Sequence, residues 1–239
     1  MTLDVLFEND HLLAVNKPAG IVVHPTYKNP SGTLLDGLRG YAADWPASHN
    51  PTIVGRLDRL TSGIVVVAKY ADAHAALQRT ALEKDYLAIV IGQIEDARGE
   101  IDWRLRVDPN DRRRVIASRT EGRACLTRFE RLAQGDRAAL LRCRLETGRR
   151  HQIRAHLAAH GWPIVGDAIY NLQSPIYKAD RMALHAWRVA FTSPFDDESI
   201  AIEAPLPEDF REMLNACGLI ELSTTEGTED SAVKSYEKD

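Results

Sequence analysis

The chain is poor in cysteine, and the three it has, Cys125, Cys143 and Cys217, form no Cys-x-x-Cys pair. That count and spacing argue against a disulfide framework or a Cys-rich zinc site, so buried free thiols are expected. Long apolar runs are missing too. None approaches the ~18 residues a membrane helix requires, and the start "MTLDVLFENDH" lacks the basic, apolar, small-residue order of a secretory signal. A soluble, cytoplasmic protein with no membrane contact is expected. Internal repeats and Gly/Pro/Ser-rich linkers are also lacking within the body. The 239 residues are 44% hydrophobic and 27% charged, which is globular composition with length enough for a substantial core.

Excess charge is small overall, at -4, but unevenly spread. Residues 221–239 hold six acids and two lysines, which leaves residues 1–220 neutral, and within that body residues 98–154 carry 16 arginines, no lysine and 8 acids. A guanidinium can hold phosphate through two parallel hydrogen bonds and can stack on a base, so RNA becomes a partner to consider. A solvated face with local ion pairs is the equal alternative from charge alone. The acidic Ser/Thr/Glu segment 221–239 has too little apolar surface to order itself and is expected to be a disordered tail.

Along the chain, "DVLFE", "LLAVN" and "IVVH" read as short strands, separated by turns at Asn9-Asp10 and Pro18-Ala19-Gly20. "GTLLDGLRGYAA" reads as a short helix. Asp72 is expected to cap a helix running to about Glu83, before the β-branched run "KDYLAIVIGQI". Several strands follow from "EIDWRL" to "RAALLRCRLE". Helical spacing returns in "TGRRHQIRAHLAAHG", ended by Gly161, and a closing hairpin, "ALHAWRVAFTSP" with "ESIAIEAP", precedes a helix over "EDFREMLNACG".

Two stretches stand out chemically. "GRLDRLTSG", residues 55–63, sets one carboxylate, Asp58, between Arg56 and Arg59 ahead of the apolar run "IVVVAK". Taken alone, a locally paired loop acid is the better account. "TGRRHQIRAHLAAHGWPIVGDAIY" puts Arg154 and several other polar side chains on one short helix, more than core packing requires. His151, His156 and His160 crowd the same helix, but without a His-Glu-x-x-His pattern a metal is not expected.

These two stretches, with "NKPAGIVVHP", "KDYLAIVIG" and "LHAWRVAF", resemble in chain order the motifs of RNA pseudouridine synthases of the RluA type. The resemblance spans residues 7 to about 206. It implies an α+β catalytic domain over residues 1–220: a mixed, mainly antiparallel central sheet with flanking helices and the cleft on the sheet. It also implies isomerisation of a flipped-out uridine in tRNA or rRNA, with no cofactor and no metal; separately, a monomer is expected. Asp58 matches the catalytic carboxylate, nucleophile or base; Tyr86 the aromatic that lies against the flipped uracil; Arg56 the arginine that contacts the vacated space. Arg154 matches the arginine that faces the carboxylate across the cleft. An opposite charge within ~4–6 Å would hold that acid ionised against the desolvation of a closed pocket. Lys84, Arg149, Arg150 and His151 are candidate phosphate or base contacts. Gly63, Gly148 and Gly161 are expected as backbone devices, with Thr61 and Ser62 tying the loop to its strand.

Two departures bear on substrate choice: Gly55 stands where many relatives have His, and Asn171 where a Gly commonly follows. A small basic RNA-binding domain is not recognisable ahead of the body, and a substrate found by the catalytic domain alone is therefore expected. The rival from another class is a catalytically silent RNA-binding protein that keeps the fold.

Overall fold

The computed structural model describes residues 1–171 and 179–219; the expectation for the acidic segment 221–239 lies outside them. In chain order the elements are β1 (Val5–Glu8), β2 (Leu12–Lys17), α1 (Leu34–Tyr41), β3 (Thr52–Val54), β4 (Ser62–Ala68), α2 (Ala71–Arg79), β5 (Glu83–Ile91) and β6 (Arg98–Ile101). Then come β7 (Arg104–Val107), β8 (Val115–Ser118), β9 (Thr127–Gln134), β10 (Ala138–Leu145), α3 (Gln152–Ala159), β11 (Leu184–Thr192), β12 (Ser199–Glu203) and α4 (Glu208–Ala216).

Ten of these strands make one mixed sheet in the order β1-β2-β4-β11-β5-β10-β9-β6, with β3 on β4 and β12 on β11; β7 and β8 form a separate ribbon. The β4–β11 pair is parallel, and every other pairing in the sheet is antiparallel. The expected α+β fold on a mainly antiparallel mixed sheet is therefore present. Among the described residues no helix is long and apolar enough to cross a membrane.

Period-two side chains explain why both faces are covered. Leu13 and Val15 of β2, with Val65 and Val67 of β4, pack into the larger core beneath α1, α3 and α4. Their neighbours Leu12, Ala14, Ile64 and Val66 pack on the other face with Ala73 and Leu77 of α2 and with β12. A strand covered on both sides reads as an unbroken apolar run, which is what "IVVVA" is.

Three expectations change. "IVVH" is not a strand: the carbonyls of Val22 and Val23 accept the amides of Leu34 and Leu35, so this segment closes the start of α1. The second helix ends at Arg79, not near Glu83, because Glu83 and Lys84 are already paired with β11 in the sheet. Asp72 lies in the first turn of α2, whose N-cap is Tyr70 without a side-chain bond. The arginine surplus is also partly neutralised across strands. Arg98 and Arg142 meet Glu130, Arg128 meets Glu100 and Glu146, and Arg144 forks onto Asp85.

Candidate active site

Asp58 sits in the loop that joins β3 to β4. Gly55 turns the chain off β3 at φ +90°, and Thr61 N–H donates to the Asp58 carbonyl (3.2 Å) to lead into β4. The loop is tied to the Pro18-Ala19-Gly20 turn from both directions. Gly20 N–H donates to Arg59 O (2.8 Å), and Arg59 Nε donates to Gly20 O (3.0 Å). Below them the ammonium of Lys17, wholly buried, donates to the carbonyls of Pro18, Ile21 and Arg59. Burial and the nearby Arg181 push its pKa down to about 8, with Asp58 acting the other way. Three carbonyl acceptors use all three donors of the charged form. The "NKPAG" and "GRLDRLTSG" stretches are thus one structural unit.

Arg154 reaches the same point from α3. Gln152 fixes the start of that helix: its Oε1 accepts from Thr147 Oγ1 (2.8 Å) and Arg149 N (3.0 Å), and its Nε2 donates to Leu126 O and Thr127 Oγ1. Arg154 Nη1 donates to Asp58 Oδ2 at 2.7 Å. Its Nε and Nη2 fork onto Asp167 at 2.7 and 2.9 Å. Asp167 is held in turn by the amides of Ile169 and Tyr170. Burial alone would lower the pKa of Arg154, but the carboxylates of Asp167 and Asp58 outweigh it and the net shift is upward. The side chains of Arg154 and Asp167 are 8% and 1% exposed and that of Asp58 17%, so the pair opens to solvent only on the Asp58 side. Asp58 Oδ2 is occupied, whereas Oδ1 has no protein hydrogen bond among the described residues.

The cleft above this pair has a volume of about 970 Å3, and Arg56, Asp58, Lys84, Tyr86, Arg149, Arg150, His151 and Arg154 all line it. Tyr86 lies on β5 between Cys143 and Ala186 of the neighbouring strands, and its hydroxyl pKa is raised by burial first and by the Asp58 charge second. His151 enters α3 in the left-handed region (φ 53°) and places Nε2 3.7 Å from Asp58 Oδ2, with Nδ1 3.1 Å from the Tyr170 hydroxyl. Burial pushes its pKa down to about 4 despite Asp58, so the ring is neutral at pH 7 and Arg154 is the charge that faces the acid.

The remaining expected residues divide. Arg56 and Arg149 are exposed at the rim. Lys84 has its pKa lowered by burial, and its ammonium stands 3.3 Å from where a side chain at Gly55 would begin. Arg150 lines the cleft but its guanidinium donates to the carbonyls of Arg112 and Arg113 on the β7–β8 ribbon. Ser62 bonds not to the loop but to His185 on β11, at 2.9 Å. Gly63 is a backbone device: it has φ +108°, and a Cβ there would lie 2.1 Å from Ala186 O. Gly161 ends α3 at φ +88°, but Gly148 has neither positive φ nor a close neighbour.

The three histidines do not converge. His156 is buried against Thr127 and the Trp103 carbonyl, and His160 packs on Trp103 and Trp162. The sequence reading missed Asp167, Gln152 and Lys17 as supports. A carboxylate 13 residues beyond Arg154 was the one available signal.

A sequence model described as RNA pseudouridylate synthase matches residues 11–159. The chain is 38% identical over 225 residues to ribosomal large subunit pseudouridine synthase D of Nitrosomonas europaea, and 40% identical over 231 residues to the protein of that name from Xanthomonas campestris. Each comparison covers 90% of this chain, but 65% and 69% of the length of those relatives. Among solved structures, human RNA pseudouridylate synthase domain containing 1 has 26% identity and a TM-score of 0.71, over 86% of this chain and 84% of that one.

Proposed function

We propose, since this chain belongs to the RNA pseudouridylate synthase family, that it isomerises a uridine of RNA to pseudouridine in the cleft around Asp58. The observation that carries the proposal is the 2.7 Å contact of Arg154 with Asp58 in a cleft also lined by Tyr86. The reaction breaks the bond from ribose C1′ to uracil N1, turns the base, and joins C1′ to C5. The C5 proton is lost and N1 gains one, so the change is redox-neutral and calls for no cofactor.

Each residue's part follows from its setting. Arg154 holds Asp58 Oδ2, and the free Oδ1 attacks C1′ or takes a proton; the geometry is compatible with either. The bidentate grip of Asp167 on Arg154 fixes the guanidinium plane, so the carboxylate is oriented before substrate arrives. Tyr86, kept un-ionised by burial, offers a neutral ring to the uracil, worth roughly 1–3 kcal/mol of stacking. A uridine within a helix cannot reach Asp58, so it must be turned out at a cost of a few kcal/mol, least where it is already unpaired. Arg149 and Arg56 at the rim, and Lys84 deeper in the cleft, meet the RNA backbone or the vacated space.

The names of the relatives make large-subunit ribosomal RNA the first substrate to test, with transfer RNA second. Forming the C5 bond expels the hydrogen on C5. RNA transcribed with uridine tritiated at that carbon should therefore release tritium to water when incubated with the protein. No release from either class of RNA would remove the proposal.

A further inference from the structure

We propose that a second nucleotide subsite adjoins the catalytic cleft, in which an unpaired RNA base stacks on the guanidinium of Arg119 where it lies against Trp103. The inference rests on the RNA-modifying function above and extends it to a neighbouring nucleotide. Its site is an open cavity of about 520 Å3 lined by Asp102, Trp103, Arg104, Arg119, Cys125 and Thr147. Volumes of this order hold ligands of nucleotide size. Thr147 lines the catalytic cleft as well, so the two spaces share a wall. That wall is firm: Thr147 Oγ1 accepts Leu126 N–H at 3.2 Å and donates to Gln152 Oε1 at 2.8 Å, two residues ahead of Arg154. A strand whose uridine occupies the Asp58 cleft has this cavity next to it.

The lining has the chemistry of base stacking. The Trp103 ring is set in an aromatic row, 5.4 Å from His160, which is itself 4.7 Å from Trp162. Arg119 Cζ lies 4.6 Å from the Trp103 ring centroid, and Arg119 is exposed. The indole therefore carries a guanidinium over its ring, and that guanidinium belongs to an exposed side chain. Bases unstacked from a helix are taken on aromatic rings or on guanidinium planes of this kind.

Charge favours the same residues, although Arg112 and Arg123 nearby are likewise without a carboxylate within 4.0 Å among the described residues. Arg106, Arg113 and Arg114 of the β7–β8 ribbon each pair with an acid: Glu121, Asp111 and Asp108. Arg104 and Arg119, which line the cavity, have no carboxylate within 4.0 Å among the described residues; Arg104 donates only to the Gly122 carbonyl. Asp102, on the same wall, makes no ion pair with either among the described residues and leaves the lining with two cations to one acid. Arg104 is then placed to take the phosphate beside the stacked base.

Cys125 does not make this a covalent site. Burial raises its pKa, and the His156 Nε2 near it is bonded to the Trp103 carbonyl at 2.8 Å, which an N–H must supply.

The test is steady-state pseudouridine formation on unmodified large-subunit ribosomal RNA and on transfer RNA by wild type, Arg119→Ala, Arg119→Lys and Arg104→Ala. Arg119 is exposed, so its variants should melt with wild type. Arg119→Ala is expected to raise KM about tenfold, near the lower end of measured base-stacking effects, with kcat at saturating RNA unchanged. Arg119→Lys keeps the charge but loses the plane, and should raise KM nearly as much. Arg104→Ala should weaken binding and reduce the salt slope of RNA affinity by about one. Full rescue by Arg119→Lys would reduce the site to a charge effect and overturn the stack, as would a KM for Arg119→Ala within about twofold of wild type. A wild type that converts no uridine in either RNA would instead remove the catalytic function, and this inference with it.

Discussion

Arg154→Met removes three charged hydrogen bonds while keeping the length of the stem, and its cost can be worked from the geometry. The guanidinium bridges Asp58 at 2.7 Å and Asp167 at 2.7 and 2.9 Å. Without it Asp167, 1% exposed, keeps only backbone amides on Oδ1, and its other oxygen is left buried with no partner. Breaking a buried pair by removing one side costs about 3–5 kcal/mol. Asp58 adds less, because it opens to the cleft. The loss is a large part of the roughly 5–15 kcal/mol that holds a domain folded. Asp58→Asn is the informative contrast: the amide oxygen still accepts from Arg154, and the Asp167 fork stays whole, so about 1 kcal/mol is expected. Urea denaturation of the two variants beside wild type measures both, provided the m-value is unchanged. The account is wrong if Arg154→Met costs less than about 1 kcal/mol, or if Asp58→Asn costs as much as Arg154→Met.

Three further outcomes follow from other parts of the structure. Tyr86→Phe keeps the ring and should retain most activity, whereas Tyr86→Leu should lose about 5- to 100-fold in kcat/KM; equal losses in both would place the role on the hydroxyl. His185 is wholly buried between Ser62 and the Ala204 carbonyl, near Arg181 and Asp209, and burial pushes its pKa down to about 4. The unfolded chain takes up that proton first as pH falls, so its contribution is complete above about pH 6.5 and is lost toward pH 4, up to roughly 3 kcal/mol. The Tm of His185→Gln should therefore vary less than that of wild type over this window; parallel curves would contradict it. Gly63→Ala would drive a Cβ to 2.1 Å from Ala186 O at a positive φ, and should destabilise by about 1–3 kcal/mol or more, read by thermal melting.

How far the sequence could be read depended on whether the determining partner was local. β4 announced itself because a strand covered on both faces must be apolar throughout. "IVVH" had the residues of a strand, but its carbonyls were needed by the amides of Leu34 and Leu35, a contact with no signature in the four residues themselves. α2 stops early for a similar reason, since pairing with β11 takes Glu83 and Lys84. In the site, Asp58, Tyr86 and Arg154 could be named from motif resemblance. Their supports could not. Lys17 would be placed at the surface by its residue type, and only the fold shows it buried under three carbonyls. Asp167 carried a role that depends on α3 bringing Arg154 across to it.

The central claim is that the Asp58 carboxylate, held by Arg154, does the chemistry. Nucleoside analysis of large-subunit ribosomal RNA after incubation with wild type or with folded, RNA-binding Asp58→Asn tests it most directly. Pseudouridine should accumulate with wild type and stay at background with Asp58→Asn. Conversion by Asp58→Asn at a rate near that of wild type would contradict the account.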